Sequence, residues 1–374
     1  MSRKRVYLIG SDRTENIRPS LQNAFDIVSP GSNPLPRPFR NMLGLEQAGK
    51  FIKYVEPIVF ASDTDKEKPV VITDSVGLFP LIVGLLCRRQ SIPFIVRLRG
   101  GMWKGYRDRA HSKSWFRKKA YSLRKDFVRN RVLSMADGII PVAEFIRTQV
   151  LYELETNIED VQTVHNPIES TSFDAAEANQ FKRSIGLSSD DNLILTITNF
   201  NYHRKYSGVT HFVPAIERVL RDNPEWHFAV AGSGNQYEQG KRAIRERFAA
   251  DVRNRVHFTG FYTPIEEALI DTDIALHLSF HDGAPWTVLE AQAARTPVLV
   301  NSAGGMPELL DRSGAEIPVV VDGVDALYSS LEALVEDPER RRTLGERNKE
   351  HVETEFSPAK IAAEFRTAIE DVLS

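Results

Sequence analysis

Short apolar runs alternate with longer segments of mixed polarity along most of the chain. The short runs are rich in β-branched residues, as buried strands are, and the longer segments repeat apolar residues at the spacing of a helix. This strand-then-helix pattern runs about six times in each half of the 374 residues. Repeated units of this kind predict parallel sheets that are covered by helices on both faces.

The pattern assigns strands and helices to both halves. In the first half the predicted strands are Arg5–Ile9, Pro57–Phe60, Val70–Ile72, Phe94–Leu98, Gly138–Pro141 and Val161–Val164. In the second half they are Leu193–Thr198, His227–Ala231, Val256–Thr259, Ile274–Leu278, Val298–Val300 and Val319–Val321. The predicted helices are Val76–Arg89, Ser112–Met135, Glu144–Leu154, Val209–Arg221, Gln236–Phe248, Pro264–Asp271, Thr287–Arg295, Val324–Val335, Pro338–Glu355 and Pro358–Leu373.

A break separates the two halves. Asn166-Pro167 is a turn signal, because the residue before a proline leaves the helical region, and a polar stretch follows it to Asp191. A single β/α barrel would have a comparable number of units but would not need this break. The charge changes here as well, since residues 1–170 carry 27 Lys and Arg against 18 Asp and Glu, and the remainder carries 21 against 32. Two doubly wound domains are therefore predicted, a basic one and then an acidic one.

The loops that follow the strands of the second half hold the candidate chemistry, because ligands of open parallel sheets bind beyond the carboxyl ends of the strands. After the fourth strand of this half, Asp282 and Gly283 lead into a helix that carries Glu290. The glycine lets a ligand approach the backbone, and free N–H groups from Trp286 to Val288 at the start of the helix suit a diphosphate. The next strand leads to another glycine-rich loop, 301–308. Two such neighbouring loops can hold phosphates and sugar hydroxyls together.

The run from Ser279 to Glu308 resembles the donor site of glycosyltransferase family 4, a large family of retaining enzymes with the two-domain GT-B fold. That family has a serine, an acidic residue with glycine, a Leu-Glu-Ala helix, a Pro-Val-Val strand and a Gly-Gly-x-x-Glu loop at this spacing. The matching segments here are Ser279, Asp282-Gly283, Leu289-Glu290-Ala291, Pro297-Val298-Leu299 and Gly304-Gly305 with Glu308. The family's first acidic residue is usually glutamate, so Asp282 keeps the charge but shortens the reach by one methylene.

Other positions of the second half extend the resemblance. Lys205 matches the lysine that clamps the diphosphate in the family, and Arg204 is expected to replace an arginine that usually stands where this chain has Phe200. Gly232 lies in a Gly-x-Gly segment like that of the family, and Phe261-Tyr262 match the segment that frames the nucleotide base.

The first half matches at two positions. Gly10 fits the family's glycine-containing first loop near the phosphates. Arg99 follows a strand and stands where many relatives carry a histidine that touches the transferred sugar.

The resemblance implies an activity and a set of site residues. It implies a retaining, metal-independent glycosyltransferase that moves a sugar from a UDP- or GDP-linked donor to an acceptor held mainly by the first domain, with no other cofactor. The implied catalytic residues are Asp282, Glu290, Lys205, Arg204 and Arg99. The implied donor-binding residues are Gly10, Gly232, Phe261, Tyr262, Gly283, Thr287, Val288 and Glu290.

The implied GT-B fold consists of two facing Rossmann-like domains, each with a doubly wound parallel sheet. The expected division is an acceptor-binding domain over residues 1–167, a donor-binding domain over 168–356, and a C-terminal helix over 357–374 that crosses back to the first domain.

Two other functions stay open, a sugar-nucleotide epimerase of GT-B type and a non-catalytic protein that binds a sugar nucleotide. The arginine in place of the histidine and the shorter Asp282 motivate the second. Asp271-Thr272-Asp273 imitates a metal-binding Asp-x-Asp, but it lies between a helix and a strand, where a capping role is expected. Cys87 is the single cysteine and is expected to be a small buried side chain on an apolar helix face.

The segment from Trp103 to Arg131 is basic and aromatic, with 11 Lys and Arg, two Asp and six aromatic residues. A solvated helix face has this composition, and so does a surface that contacts an anionic membrane or a phosphorylated lipid acceptor. Nothing else in the sequence supports a nucleic-acid partner. The apolar run at the first strand is too short for a secretory signal, so a cytoplasmic location is expected, with peripheral contact to the cytoplasmic membrane face.

Overall fold

A computed structural model describes residues 5–9, 17–22, 25–28, 69–100, 126–154, 161–311 and 317–374. The chain divides into two compact units. Unit 1 comprises Met1–Pro167 together with Pro358–Ser374, and unit 2 comprises Ile168–Ser357. Within unit 2, the N–H of Ile168 donates to the carbonyl of Phe356 at 2.9 Å, so the two ends of this unit lie side by side.

Strands and helices alternate through both units. The strands are β1 (Arg5–Ile9), β2 (Asp26–Val28), β3 (Val70–Thr73), β4 (Phe94–Leu98), β5 (Gly138–Pro141), β6 (Asn192–Ile197), β7 (Trp226–Ala231), β8 (Val256–Gly260), β9 (Ile274–His277), β10 (Val298–Asn301) and β11 (Val320–Val321). The helices are α1 (Arg18–Gln22), α2 (Leu78–Gln90), α3 (126–133), α4 (Glu144–Leu154), α5 (Thr171–Asp174), α6 (Gln180–Ser184), α7 (His203–Asp222), α8 (Tyr237–Arg245), α9 (Ile265–Ile270), α10 (Trp286–Ala293), α11 (Val324–Val335), α12 (Pro338–Glu355) and α13 (Pro358–Leu373).

Unit 1 has a parallel five-stranded sheet in the order β2-β1-β3-β4-β5. Every residue of β3, β4 and β5 is buried, which explains why these strands read as continuous apolar runs. The C-terminal helix α13 belongs to this unit, because Ile361, Phe365 and Ile369 share a core with Val6 and Leu8 of β1. The last helix therefore completes the hydrophobic core of unit 1.

Unit 2 has a parallel six-stranded sheet in the order β11-β10-β9-β6-β7-β8. The order reverses between β6 and β9, because the chain adds β7 and β8 on one side of β6 and then β9, β10 and β11 on the other. Helix α7 covers the sheet with a buried stripe at helical spacing that includes Val209, Phe212, Val213 and Ile216. In open sheets of this kind, ligands bind beyond the carboxyl ends of the strands at the point of reversal.

The predicted fold class is confirmed, since each unit has a parallel sheet flanked by helices. Two predictions differ from the structure in unit 1. Val161–Val164 forms no complete strand, and only Val161 bridges to Ile139 of β5. Strand β2 was too short a run to stand out in the sequence. The predicted strand Pro57–Phe60 and residues 112–125 of the predicted helix Ser112–Met135 lie outside the described residues.

Helix α7 begins at His203 rather than at the predicted Val209. The sequence places a glycine at 208, which reads as a helix breaker. In the structure the helix runs through Gly208, and a Cβ at this position would lie 2.5 Å from the carbonyl oxygen of Leu278. The glycine serves close packing, and Lys205 consequently lies in the first turn of a helix instead of on a loop.

The two aspartates between α9 and β9 bind backbone amides, as expected for caps. The Asp271 carboxylate accepts three N–H groups at the start of α6, including those of Asn179 at 2.5 Å and Phe181 at 2.8 Å. Asp273 accepts the N–H of Leu193 at 2.8 Å. The capping interpretation of this Asp-x-Asp sequence is confirmed.

Cys87 is fully buried in α2, as predicted. Burial, together with the Asp137 charge, raises the pKa of its thiol to about 12, so the thiol stays protonated at neutral pH. Among the helices of the described ranges, none is both long and apolar enough to cross a membrane.

We expect Asp271→Ala to lower the free energy of unfolding by about 1–3 kcal/mol, because it leaves buried N–H groups of α6 without their acceptor. Urea denaturation measures this change. Asp190→Ala is the control, because Asp190 is an exposed aspartate of the same unit, and its effect should stay within about 0.5 kcal/mol. Equal stabilities of the two variants would contradict the capping role.

Candidate functional site

The segments that follow β6 and β9 meet where the strand order of unit 2 reverses. Lys205 lies in the first turn of α7, which follows β6, and Asp282 lies in the loop between β9 and α10. The Nζ atom of Lys205 is 2.8 Å from Oδ1 of Asp282. The side chain of Lys205 is 26% exposed and that of Asp282 is 10% exposed, so the lysine is the more accessible partner.

His277, the last residue of β9, holds the other oxygen of this carboxylate. Its Nε2 is 3.0 Å from Oδ2 of Asp282, and its Nδ1 is 2.9 Å from Oγ1 of Thr287 in α10. Burial by itself would raise the pKa of Asp282, but the Lys205 ammonium and the hydrogen bond with His277 outweigh it and hold the pKa well below its ordinary value. Asp282 is therefore an anion at neutral pH.

The ionised carboxylate sets the direction of the neighbouring hydrogen bonds. An ionised carboxylate can only accept hydrogen bonds. Nε2 of His277 therefore carries the hydrogen that it donates to Asp282. The other ring nitrogen, Nδ1, is hydrogen-bonded with the hydroxyl of Thr287. One hydrogen-bonded chain thus runs from Lys205 in α7 through the loop to the first turn of α10.

Backbone contacts fix the loop that carries Asp282. The side chain of Asn301, at the end of β10, accepts the N–H of Ser279 at 2.8 Å and donates to its carbonyl at 3.0 Å. The N–H of Gly305 donates to the carbonyl of Asp282 at 3.1 Å. Gly304 has a φ of +69°, and a Cβ there would lie 2.0 Å from the same carbonyl oxygen. The glycine-rich loop after β10 therefore packs directly on the Asp282 backbone.

The loop after β7 packs as closely on the segment after β6. Gly232 has a φ of +136°, its N–H donates to the carbonyl of Gly260 at 2.7 Å, and a Cβ would lie 1.9 Å from the carbonyl oxygen of Thr198. Phe200 is wholly buried, and its N–H donates to the carbonyl of Ser233 at 3.1 Å. Phe200, which stands where the family usually has an arginine, is a core residue of unit 2.

The first turn of helix α10 lies beside Lys205, Asp282 and His277, because its Thr287 is hydrogen-bonded with His277. Residues 286 and 287 occupy the turn in which an α-helix leaves N–H groups without intrahelical acceptors. The N–H of Val288 donates to the carbonyl of Pro285 at 3.2 Å, so the prediction of a free N–H at Val288 is wrong. Glu290 lies one turn farther into the helix and is partly exposed.

Two further predicted residues adjoin the ion pair. Arg204 precedes Lys205 in α7, and its carbonyl accepts the N–H of Phe280 at 3.0 Å, which ties this helix to the loop after β9. Gly283 is buried next to Asp282.

Phe261 and Tyr262 follow β8 but have different surroundings. The side chain of Phe261 is 74% exposed. The ring of Tyr262 lies edge-on to Phe181 with 4.7 Å between centroids, and its hydroxyl is 2.9 Å from Glu267. Burial and the bond with Glu267 raise the pKa of Tyr262 to about 12. Phe261 thus presents an accessible ring, whereas Tyr262 anchors the segment.

Of the residues predicted in the first half, Arg99 lies just after β4 in unit 1. Its Nε is 2.9 Å from Oδ2 of Asp74, whose Oδ1 accepts a hydrogen bond from Arg97. Gly10 lies outside the described residues.

The sequence did not indicate His277 or Asn301. His277 lies in a predicted apolar strand and was counted as a strand position, and Asn301 opens the predicted glycine-rich loop 301–308 but was given no role of its own. The available signal was a single imidazole in an apolar strand five residues before Asp282.

A known family model matches the part of unit 2 that contains this site. Residues 191–337 match the model of the family described as Glycosyl transferases group 1. This range contains Lys205, His277, Asp282 and Glu290. The resemblance expected from the sequence is confirmed.

A curated relative is similar over part of its length. N-acetyl-alpha-D-glucosaminyl L-malate synthase of Bacillus anthracis is 26% identical over 222 residues, which cover 59% of this chain and 56% of the relative. The chain thus matches just over half the length of that protein.

Two solved structures resemble the whole chain. A glycosyltransferase from Rickettsia africae ESF-5 has a TM-score of 0.72 at 13% identity, with 100% of this chain and 99% of that one covered. The Alr3699/HepE protein of Anabaena, in complex with UDP-glucose, has a TM-score of 0.69 at 14% identity, with 98% and 99% covered. At these identities the likeness shows the fold, which is GT-B.

We expect Asp282→Asn to lower the free energy of unfolding by about 1–3 kcal/mol near neutral pH, because the amide cannot replace the paired carboxylate. A carboxyl whose pKa is depressed in the folded state contributes stability above its ordinary pKa of about 4 and loses it as the pH falls through the folded value. The difference in unfolding free energy between wild type and variant should therefore be constant above about pH 5 and shrink in more acidic solution. Denaturant titrations across this pH range measure it.

Asp190→Asn serves as the control for this pH series, because that exposed carboxylate should give no pH-dependent gap of this size. A gap for Asp282→Asn that did not change with pH would contradict the ion-pair assignment.

Proposed function

Because residues 191–337 match the model of the Glycosyl transferases group 1 family and the chain has the GT-B fold, we propose that it transfers a sugar from a nucleotide-diphosphate donor to an acceptor. Unit 2 binds the donor and unit 1 holds most of the acceptor. The observation that carries this proposal is the hydrogen-bonded chain Lys205–Asp282–His277, which lies beside the first turn of α10 at the strand-order reversal.

Lys205, Arg204 and the first turn of α10 hold the diphosphate. An ammonium group has three N–H donors, so Lys205 can keep its bond to Asp282 and still donate to a phosphate oxygen. Negative charge grows on the leaving phosphate as its bond to the sugar breaks, and two cations with helix N–H groups stabilise that charge. These groups supply the positive charge for which other transferases use a divalent metal, so the proposed reaction is metal-independent.

Asp282 and Glu290 orient the transferred sugar. Carboxylates accept hydrogen bonds from sugar hydroxyls, and a carboxylate held as rigidly as Asp282 discriminates between hydroxyl positions. The shorter aspartate favours a sugar whose hydroxyl reaches closer to the loop backbone. The transfer retains the anomeric configuration, and the leaving phosphate accepts the proton of the acceptor hydroxyl.

The nucleotide is UDP or GDP, with its base beside the accessible ring of Phe261. Aromatic rings stack on nucleobases without strong sequence preference. The UDP-glucose complex of the Anabaena protein, which has the same fold, supports a UDP-linked donor.

The acceptor is a glycan or a lipid-linked molecule at the cytoplasmic membrane face. The support is the composition of the segment from Trp103 to Arg131, which combines 11 basic residues with six aromatic ones. Basic residues are attracted to anionic headgroups, and amphipathic aromatic rings insert at the interface. Residues 103–125 of this segment lie outside the described residues.

We expect Lys205→Met to lower kcat/KM for sugar transfer by about 10²–10³-fold, because it removes a donor to the leaving phosphate. The measurement is the release of nucleoside diphosphate, with transfer to acceptor, over a panel of UDP-, GDP-, ADP- and CMP-sugars. Arg245→Met, on an exposed face of α8, also removes a positive charge and should leave the rate unchanged.

The same assay separates the alternatives. Conversion of the donor sugar without transfer would indicate an epimerase. Tight donor binding through Lys205 with no turnover of any donor would indicate a non-catalytic binding protein.

We expect the protein to sediment with vesicles that contain anionic lipid and much less with neutral vesicles. Charge reversal at Arg117, Lys118 and Lys119 should weaken this binding, because each basic residue near the surface contributes about 1 kcal/mol. Arg242→Glu with Arg245→Glu, in unit 2, is the matched control. Equal binding to neutral and anionic vesicles would exclude the proposed membrane contact.

A further inference from the structure

His277 is a polar ring in a strand of unit 2 that is otherwise apolar. It ends β9, whose residues are all buried, and is itself 8% exposed. Both of its ring nitrogens are hydrogen-bonded, one with Asp282 and the other with Thr287. A buried polar group costs free energy unless it is paired, and here the pairing connects β9 with the loop after it and with α10.

The ring offers the Asp282 carboxylate a donor with little freedom to move. Its Nε2 is 3.0 Å from Oδ2 of Asp282. Strand β9 lies between β6 and β10, and His277 stands opposite Val300 in that pairing. The backbone from which the imidazole extends is therefore held by strands on both sides.

The contact of the same carboxylate with Lys205 is different in kind. Nζ of Lys205 is 2.8 Å from Oδ1, but the lysine side chain has a flexible stem and is 26% exposed. In the proposed reaction Lys205 also donates to the diphosphate, so the leaving phosphate competes with Asp282 for the ammonium group as its negative charge grows. The bond from His277 does not depend on that competition.

The second hydrogen bond of the ring keeps the imidazole in this orientation. The hydroxyl of Thr287, in the first turn of α10, is 2.9 Å from Nδ1 of His277. Because the two ring nitrogens have partners on different elements, a rotation of the ring breaks at least one of these bonds. Side chains that bind a ligand are held in place by neighbours whose own conformations are locked in this way.

We propose that His277 is a positioning residue for the donor sugar, which holds the Asp282 carboxylate where it selects a sugar hydroxyl while Lys205 engages the diphosphate. The selection of a hydroxyl rests on the proposed sugar transfer, whereas the anchoring of Asp282 by His277 does not. Because His277 acts through Asp282, its loss affects discrimination between sugars more than binding of the nucleoside diphosphate.

Three variants separate the two hydrogen bonds of the ring. The side-chain amide of glutamine extends about as far as Nε2, and that of asparagine about as far as Nδ1. His277→Gln therefore keeps a donor for Asp282, whereas His277→Asn keeps only a partner for Thr287, and His277→Leu removes both. A role through Asp282 predicts that the glutamine variant retains the most selectivity.

The experiment compares kcat/KM for donors that differ in the configuration of one hydroxyl, UDP-glucose with UDP-galactose and GDP-mannose with GDP-glucose. We expect His277→Asn and His277→Leu to lower kcat/KM for the donor that wild type prefers at least about tenfold, and to change that for its epimer less than about threefold. His277→Gln should change both less than about threefold. Competitive inhibition by UDP or GDP, which lack the sugar, should change less than about twofold in every variant.

His227→Leu is the matched control. His227 is also a partly buried histidine in a strand of the same sheet, and its Nδ1 is 3.1 Å from Nε2 of His257. It lies near the start of β7, at the opposite edge of this parallel sheet from Asp282, so its loss should leave the preference among donors unchanged. Thermal unfolding of each variant identifies any loss of folding, and His277→Gln keeps the test valid if His277→Leu fails to fold.

A second measurement tests the anchoring without any sugar transfer. A double-mutant cycle combines His277→Asn with Asp282→Asn, and urea denaturation gives the stability of each protein. We expect the two changes to be non-additive by at least about threefold in the unfolding equilibrium constant, because either one already removes their hydrogen bond. The corresponding cycle of His227→Leu with Asp282→Asn should be additive.

Equal losses for the preferred donor and its epimer, or equal losses in the glutamine and asparagine variants, would overturn the role in sugar selection. Inhibition by UDP or GDP that weakens as much as donor use would overturn it as well. Additive effects of His277→Asn and Asp282→Asn on stability would overturn the anchoring. A wild-type protein that transfers no sugar but shows the non-additive cycle would count against the proposed function and the sugar role, and would support the anchoring.

Discussion

A carboxylate that is almost completely removed from water needs compensating donors, and unit 2 is organised around one such group, Asp282. Its two oxygens take hydrogen bonds from Lys205, which follows β6, and from His277 of β9. These strands flank the reversal of strand order, so a single charged side chain ties together the two sides of the sheet at the position where ligands of open parallel sheets bind. The glycine contacts around the carbonyl of Asp282 then leave this residue little freedom. The stability of unit 2 and the proposed chemistry therefore both depend on the pair Lys205–Asp282.

Much of unit 2 could be predicted from the sequence, because a sheet covered on both faces leaves a clear record of apolar runs. Helix α11, Val324–Val335, has the predicted bounds. The start of α7 was wrong because Gly208 looks like a helix breaker, and only the neighbouring carbonyl of Leu278 reveals why a glycine is needed there. His277 was missed for a related reason. Periodicity counts it as a strand residue, and its role depends on Asp282 and Thr287, which the fold brings to its two ring nitrogens.

Unit 1 shows more strongly that local sequence patterns do not reveal contacts between distant segments. The sequence identified Arg99 after β4 but did not indicate the partners of Arg97 within that strand. Asp74 directly follows β3, Asn166 lies at the predicted linker, and Phe365 lies in the last helix. Contacts between such distant segments leave no periodic trace in the sequence, because each segment also satisfies its own local structure. A buried arginine in an apolar strand is the only local sign that such partners must exist.

The hydrogen bond between Ile168 and Phe356 has a consequence for the origin and engineering of the chain. Since the ends of unit 2 are adjacent, this unit is a module inserted into a host domain whose sequence resumes at Pro358. Insertion of one domain into another is tolerated when the ends of the inserted domain are adjacent, because the receiving domain then keeps its own fold around the insertion point. Two cuts at neighbouring points can therefore exchange unit 2 for that of a relative while unit 1 is kept. Under the proposed function, in which unit 2 binds the donor and unit 1 most of the acceptor, such an exchange would pair a new donor with the same acceptor, without redesign of either sheet.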